Sequence, residues 1–324
     1  MLHRSFLLGL VTIACVIVIG VAAVVWIAPR VSHPSSRTNV RLVDFVDLDL
    51  EPGLPGAASS STEVVFDDTS TTTMFLHEPP LARLLRIKAD PALVVGDVSM
   101  RVPILMYHHI RNMKPTFTTK DRLFTVTPEA FLAQMEGLKR AGYTTVTPRD
   151  LEMAMDGKKQ LPKKSVLLTF DDGYREHATI VLPILRRLHL DATYFIISDA
   201  YHLRGYMTEE MVRDADHSEL VTIADHTRHH VFLARMNPVT RAPEIVDSKK
   251  ELETLLGHPV LDFAYPYGSW NKAVADEVRD AGYALGFGVR LGSLHTSSTR
   301  YQLRRIRVLN GENVVSLLDA FSKP

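Results

Sequence analysis

Two adjacent carboxylates, Asp171 and Asp172, end the apolar run Ser165-Val166-Leu167-Leu168-Thr169-Phe170 and are followed by Gly173. A short run of this kind is the pattern of a fully buried strand. Neighbouring side chains on a strand point to opposite faces, so both carboxylates serve one site only if the strand stops and Gly173 turns the backbone. Like charges so close repel, and a metal cation is the simplest group to offset them. An Asp-Gly turn that merely closes a strand has the same letters. Farther on, Leu220 to Ala224 runs into Asp225-His226-Thr227-Arg228-His229-His230. His226 and His230 share one side if the segment turns helically, a spacing suited to a single ion. A polar loop rich in histidine is the other reading. With Asp172 the pair supplies two nitrogens and one carboxylate oxygen, a zinc-type set with an open position for water or substrate. His229 falls on another face and is expected outside the ligand set or on the surface. A third stretch, Val260 to Ala264, ends in Tyr265-Pro266-Tyr267-Gly268. There Pro266 fixes the turn, Gly268 relaxes it, and the Tyr267 N–H is a candidate oxyanion donor; a simple Pro-Gly-bounded turn reads alike.

The elements that must carry these residues alternate from Val102 onward. Strands are expected at Val102 to Tyr107, Tyr143 to Val146, Val166 to Phe170, Ala192 to Ile197, Leu220 to Ala224, Val260 to Ala264, Tyr283 to Val289 and Leu303 to Val308. Helices lie between them, for example one capped by Thr127 with Pro128 at its first position and closed by Gly142. About seven strand–helix units without a Rossmann-type glycine fingerprint predict one α/β barrel, a distorted (β/α)7-type closure. Barrels of this type build their sites at the C-terminal ends of the strands, which is where the three stretches fall.

The whole chain has 324 residues, with Lys+Arg and Asp+Glu equal at 37 each, so net charge points to neither nucleic acid nor acidic partners. From Phe6 to Ala28 it carries no charge, long enough to cross a bilayer, with Arg4 before and Arg30 after. The expectation is an N-terminal membrane anchor over 1–30, with a signal peptide cut near Ala22 and Ala23 as the competing reading. Both place the remainder outside the cytoplasm, in the cell envelope. The only cysteine, Cys15, lies within this run, so the exported part is held by its core rather than by disulfides. Residues 31–101 are rich in Ser, Thr and Pro and read as a low-order spacer, with short pieces such as Leu42 to Leu50 able to pair locally; 102–324 form the catalytic domain.

Together the three stretches resemble the carbohydrate esterase family 4, or NodB-homology, polysaccharide deacetylases. Thr169-Phe170-Asp171-Asp172-Gly173 is similar to the first family motif, His226-Thr227-Arg228-His229-His230 to the second, and Phe263-Ala264-Tyr265-Pro266-Tyr267-Gly268 to the third. The resemblance implies that Asp171 is the general base, that Asp172, His226 and His230 hold a divalent metal (Zn2+ first, with Co2+, Ni2+ or Fe2+ as alternatives), and that the Tyr267 amide helps bind the oxyanion. The usual D-x-x-D-W motif is absent, and no L-x-x-H occurs after Gly268; His295 sits in a polar stretch. The pattern stands instead at Leu105-Met106-Tyr107-His108, which resembles the poly-β-1,6-N-acetylglucosamine deacetylase branch and assigns His108 as general acid. A closed barrel makes first and last strands neighbours, so a histidine at either end of the chain can fill that place. His109 should point the other way along the strand. Where the family often has an arginine two places before the proline of the third motif, this chain has Ala264, and Arg305 is the expected substitute that orients Asp171; a surface salt bridge is the plainer reading of that arginine.

The expected activity is metal-assisted removal of N-acetyl groups from peptidoglycan or exported poly-N-acetylglucosamine, with acetylated xylan a weaker alternative. Two competitors use the same residues. A two-histidine, one-carboxylate iron(II) oxygenase leaves Asp171 and His108 without roles. A catalytically inactive surface carbohydrate-binding protein does not need the complete set.

Overall fold

The computed structural model describes residues 97–322 in full, together with the backbone of two strand pairs earlier in the chain. Within the first, seven parallel strands form one curved sheet: β1 (Ile104–Tyr107), β2 (Ser165–Phe170), β3 (Ala192–Ile196), β4 (Val221–Asp225), β5 (Asp262–Ala264), β6 (Leu285–Phe287) and β7 (Ile306–Arg307). The spatial order is β6-β5-β4-β3-β2-β1-β7, with Thr144–Thr145 also pairing with β2. First and last strands are neighbours, as expected: Ile306 lies opposite Leu105 and Arg307 opposite Met106. The remaining edge closes through backbone hydrogen bonds instead of a full ladder. Gly288 N–H donates to Leu303 O (2.8 Å), Leu303 N–H to Gly286 O (2.8 Å) and Arg305 N–H to Arg290 O (2.9 Å).

Among the described residues, besides a single turn of helix at Thr119–Leu123, seven longer helices accompany the sheet: α1 (Pro128–Arg140), α2 (Pro148–Met155), α3 (Leu182–Leu188), α4 (Glu209–Asp216), α5 (Pro238–Leu256), α6 (Lys272–Asp280) and α7 (Val314–Phe321). Their starts follow sequence chemistry. Thr127, Thr147, Thr208, Asn237, Asn271 and Asn313 each accept a hydrogen bond from an otherwise unsatisfied first-turn N–H. Before α3 the chain makes one wide π-turn, His177–Val181. Pro183 accounts for it: proline brings no N–H and its ring crowds the carbonyl one turn back.

Every residue of β2 and β3 is buried, and alternate side chains feed two cores. Leu105, Leu168, Tyr194, Ile223 and Phe263 pack in the larger cluster that also takes in the helices. Ile104, Leu167, Phe195, Ala224, Ala264, Leu285 and Phe287 fill a second cluster on the opposite faces of the strands. Each fully buried Leu, Ile or Phe contributes roughly 1.5–3 kcal/mol, which suits a unit without disulfides.

Ser99–Arg101, just before the expected boundary at 102, pairs antiparallel with Leu294–Thr296. His295 is buried there with Nε2 2.9 Å from Val102 O, a structural place far in sequence from the first three motifs. A separate unit spans Met1–His77. In it Ile13–Cys15 pairs antiparallel with Ala23–Val25, and Thr38–Val43 with Ser61–Phe66. Those first two pieces fall within the run read as an anchor and are strands, which its β-branched Val and Ile favour. The rest of that anchor, and the spacer apart from its paired strands and residues 97–101, lie outside the described residues. Among the described residues no helix is long and apolar enough to cross a membrane.

Candidate active site

The C-terminal ends of β1, β2, β4 and β5 converge. At the end of β2 the chain leaves strand geometry at once: Asp172 is left-handed (φ 74°) and Gly173 follows at φ 70°. The turn swings both carboxylates to one side. A Cβ at position 173 would come within 3.0 Å of Ile196 Cδ1, a tight contact added to the left-handed backbone that favours glycine here.

Asp171 is buried and held by a two-pronged ion pair, Arg305 Nη1 to Oδ1 and Nη2 to Oδ2, both at 2.7 Å. The guanidinium is itself buried. Its Nε donates to Gly288 O (2.7 Å), Nη1 also reaches Thr169 Oγ1 (3.2 Å), and its carbon lies 5.5 Å from the Phe195 ring centre. Thr169 Oγ1 in turn donates to Leu105 O, tying the arrangement to β1. Burial pushes the Asp171 carboxyl up, but Arg305, with His226 and His108, outweighs it and keeps the group below its ordinary value. Asp171 is therefore an oriented carboxylate.

Asp172, His226 and His230 offer ligand atoms that all lie within 4.8 Å of one another. Both imidazole Nε2 atoms face the same oxygen, Asp172 Oδ1, at 3.4 Å (His226) and 3.2 Å (His230). Neither makes a well-angled hydrogen bond to it, and this buried oxygen has no partner. His226 Nδ1 lies 2.8 Å from Ala264 O, which fixes the tautomer and leaves the Nε2 lone pair free. A buried, unpartnered carboxylate oxygen beside two imidazole nitrogens fits a divalent cation. Burial would raise the Asp172 carboxyl; the two facing imidazoles reverse that and take it well below the usual range.

The two histidines meet by a route the helical spacing does not describe. Residues 226–230 form an irregular turn with Thr227 (φ 66°) and His230 (φ 55°) left-handed. Asp225 Oδ1 accepts the Thr227 N–H (2.7 Å), and Thr227 Oγ1 accepts the His230 N–H (2.9 Å). Asp225 is anchored by Ser248 and Tyr283, and burial lifts its carboxyl to about 7. Four of the six left-handed non-glycine residues among the described residues thus belong to this site: Asp172, Thr227, His230 and Tyr267. Clustered backbone strain of this kind marks functional geometry.

His108 stands with Nε2 3.9 Å from Asp171 Oδ2, its ring edge-on to Phe124. Burial drops its imidazole to about 4 against the pull of Asp171 and Asp172, so the ring is neutral at neutral pH. His109 points elsewhere, with Nδ1 2.6 Å from Glu176 and its ring stacked on Tyr174 at 3.6 Å. His229 also faces outward, Nδ1 lying 2.7 Å from Glu244. Tyr267 heads the short turn after β5, left-handed at φ 58°, its ring 4.5 Å from that of His230. Phe195 and the Gly288 carbonyl, which hold Arg305 together with Thr169 of the first motif, carried no signal in the sequence. Tyr174, beside the first motif, could have been marked by its position alone.

Gly268 (φ 65°) sets the Tyr267 turn, and a Cβ there would lie 2.3 Å from Val289 Cγ2. Gly268→Ala is expected to destabilise the protein by about 2–4 kcal/mol through backbone strain and overpacking. Thermal unfolding measures this; an unchanged midpoint would mean that the turn is not constrained.

The comparisons with known proteins agree with this geometry. Residues 158–286 match the family described as polysaccharide deacetylase. YxkH of Bacillus subtilis (strain 168), assigned by name to the polysaccharide deacetylases, is 30% identical over 212 residues, covering 65% of this chain and 72% of that protein. The poly-beta-1,6-N-acetyl-D-glucosamine N-deacetylase of Escherichia coli (strain K12) is 26% identical over 236 residues, which is 60% of this chain but only 35% of that enzyme. Among solved structures, the Streptococcus pyogenes deacetylase PplD in complex with acetate superposes with a TM-score of 0.64 at 28% identity, covering 69% of this chain and 99% of that one. With the shared fold, the carboxylate pair and the histidine turn in place, the chain belongs to the polysaccharide deacetylase family.

Proposed function

We propose that this protein hydrolyses N-acetyl groups on an N-acetylglucosamine polymer of the cell surface, either peptidoglycan or poly-N-acetylglucosamine. The observation that carries the reading is the meeting of the Arg305-held Asp171 carboxylate, His108 and the Asp172–His226–His230 ligand set at one barrel mouth. A divalent ion held by Asp172, His226 and His230 would supply Lewis acidity toward the acetamide carbonyl and a water molecule. Asp171, ionised and aimed by Arg305, removes the proton of the attacking water. The Tyr267 N–H donates to the oxygen on which negative charge develops. His108 is neutral at rest and donates to the departing amine only after gaining a proton; the one taken up by Asp171, 3.9 Å away, is at hand.

The same reading places the catalytic unit outside the cytoplasm. It rests on the uncharged run from Phe6 to Ala28 and on where such polymers lie, and fractionation of the cells that make the protein tests it. The enzymatic test is acetate release from peptidoglycan and from β-1,4- and β-1,6-linked acetylated glucosamine oligomers, with and without chelator. Release on at least one polymer, lost on chelation and restored by Zn2+, is expected. No release from any of them, with the metal present, would end the proposal.

A further inference from the structure

Strand β1 runs into two histidines just where it leaves the sheet. Its ladder with β2 closes with the Asp171 N–H on Tyr107 O (3.0 Å), and its ladder with β7 closes with the Val308 N–H on Met106 O (3.2 Å). The next carbonyl, that of His108, is met instead by a side chain, His177 Nε2 at 2.7 Å. The other half of the same peptide unit, the His109 N–H, donates to Phe124 O (2.9 Å). Both polar groups of the 108–109 peptide are thus held from outside the barrel sheet. A peptide plane pinned at both ends fixes the backbone torsion of His108, and with it the direction in which that side chain leaves the chain. The ring ends edge-on to Phe124 (4.7 Å, 72°) with Nε2 3.9 Å from Asp171 Oδ2.

His177 is built for this task. It opens the π-turn before α3, a kind of turn that recurs at functional sites. Its own carbonyl accepts the Leu182 N–H across that turn and the Tyr194 hydroxyl (3.0 Å) from β3. A carbonyl oxygen offers no proton, so Nε2 must carry the hydrogen of the 2.7 Å contact. Nδ1 is buried with no hydrogen-bond partner among the described residues, which leaves it without a proton. Burial holds the imidazole below its ordinary value although the His108 carbonyl pulls the other way, and the ring is a neutral, rigid N–H donor. The preceding residue takes the second histidine: Glu176 lies 2.6 Å from His109 Nδ1, and the His109 ring stacks on Tyr174 at 3.6 Å. Consecutive residues of the turn therefore grip consecutive residues of β1's end. We propose that Glu176 and His177 are positioning residues that clamp the His108–His109 peptide and so aim the His108 ring at Asp171 and the departing amine. His177 holds the His108 carbonyl directly and carries the larger share; neither residue touches substrate. The clamp rests on the deacetylase reading for the step it serves, while its geometry stands apart from that reading.

The test uses the full chain with metal. His177→Phe keeps a buried ring and removes the donor, whereas His177→Gln returns an N–H at a similar reach. Acetate release from an acetylated glucosamine hexamer and hydrolysis of para-nitrophenyl acetate are measured beside metal content. His177→Phe is expected to lower kcat on the hexamer by about 10–10²-fold, the cost of misplacing a catalytic group by about 1 Å, with KM and metal content unchanged. The activated ester expels a phenolate that needs no proton, so its turnover should fall much less. His177→Gln should recover most of the loss. A protein merely loosened by the substitution would lose both substrates alike; equal losses would overturn the clamp, as would a wild-type kcat on the hexamer. Crystals of His177→Phe give a readout free of turnover: the 108–109 peptide should turn and carry His108 Nε2 farther from Asp171 than 3.9 Å. An unmoved His108 would likewise overturn the inference. A wild type that releases no acetate from any polymer, with His108 displaced in His177→Phe, would remove the deacetylase reading and leave the clamp standing.

Discussion

Asp171→Asn is expected to lower kcat for acetate release by about 10²–10⁴-fold, the range of a positioned general base, while the protein keeps its metal. An amide keeps the shape of the side chain but cannot accept the proton of the attacking water. It also leaves the Arg305 guanidinium buried without its charge partner, so the variant should melt at a lower temperature even though its ligand set is untouched. His226→Ala provides the contrast. It removes one of three ligands, so metal content and turnover should fall together. Elemental analysis beside the acetate assay separates the two. An Asp171→Asn enzyme with near wild-type turnover would take the base role from that residue, and a His226→Ala protein with full metal content would take the ligand role from His226.

Arg305→Met should cost on the order of 3–5 kcal/mol at neutral pH, because it strands a buried carboxylate. For a domain of this size that is a fall in melting temperature of about 10 °C. The loss should also depend on pH. Burial pushes the Asp171 carboxyl up, and in the wild type Arg305 is the main counterweight that keeps it low. The pair therefore contributes stability above the unfolded carboxyl pKa of about 3.9, and that contribution fades as the pH falls through the lower folded value. In Arg305→Met the shift reverses: the folded pKa rises above the unfolded one and the native state takes up a proton. Its deficit is then largest at high pH and shrinks as the medium is acidified. Melting curves of both proteins from pH 5 to pH 8 should converge toward the acid end. A gap that stays constant across that range would show that the arginine contributes by packing alone.

Much of the barrel was legible because its strands are buried on both faces and so appear as plain apolar runs, Val166 to Phe170 above all. Adjacent placement of β1 and β7 followed from closure, and it brought His108 and Arg305 to the same carboxylate from opposite ends of the unit. Arg305 and Arg304 are sequence neighbours, and no local pattern separates them. Only the barrel decides: Arg305 reaches Asp171, while Arg304 reaches Leu291 O. The histidine turn was legible in membership and not in shape. Its i, i+4 spacing reads as helix, but the observed turn needs a left-handed threonine, which β-branching disfavours and which the Asp225 and Thr227 side chains help to hold by hydrogen bonds. The Val- and Ile-rich run before Arg30 has a different defect, since its composition suits a strand and a bilayer helix alike.

The Arg305–Asp171 pair joins positions 134 residues apart, and it forms only when the final strand has docked beside the first. Contacts of such span come late in folding. A chain still emerging from the ribosome would therefore carry Asp171 and the three candidate ligands without the arginine that aims the Asp171 carboxylate. Under the proposed deacetylase reading, hydrolysis would begin only once the strand that follows Arg305 had been made and had docked beside β1.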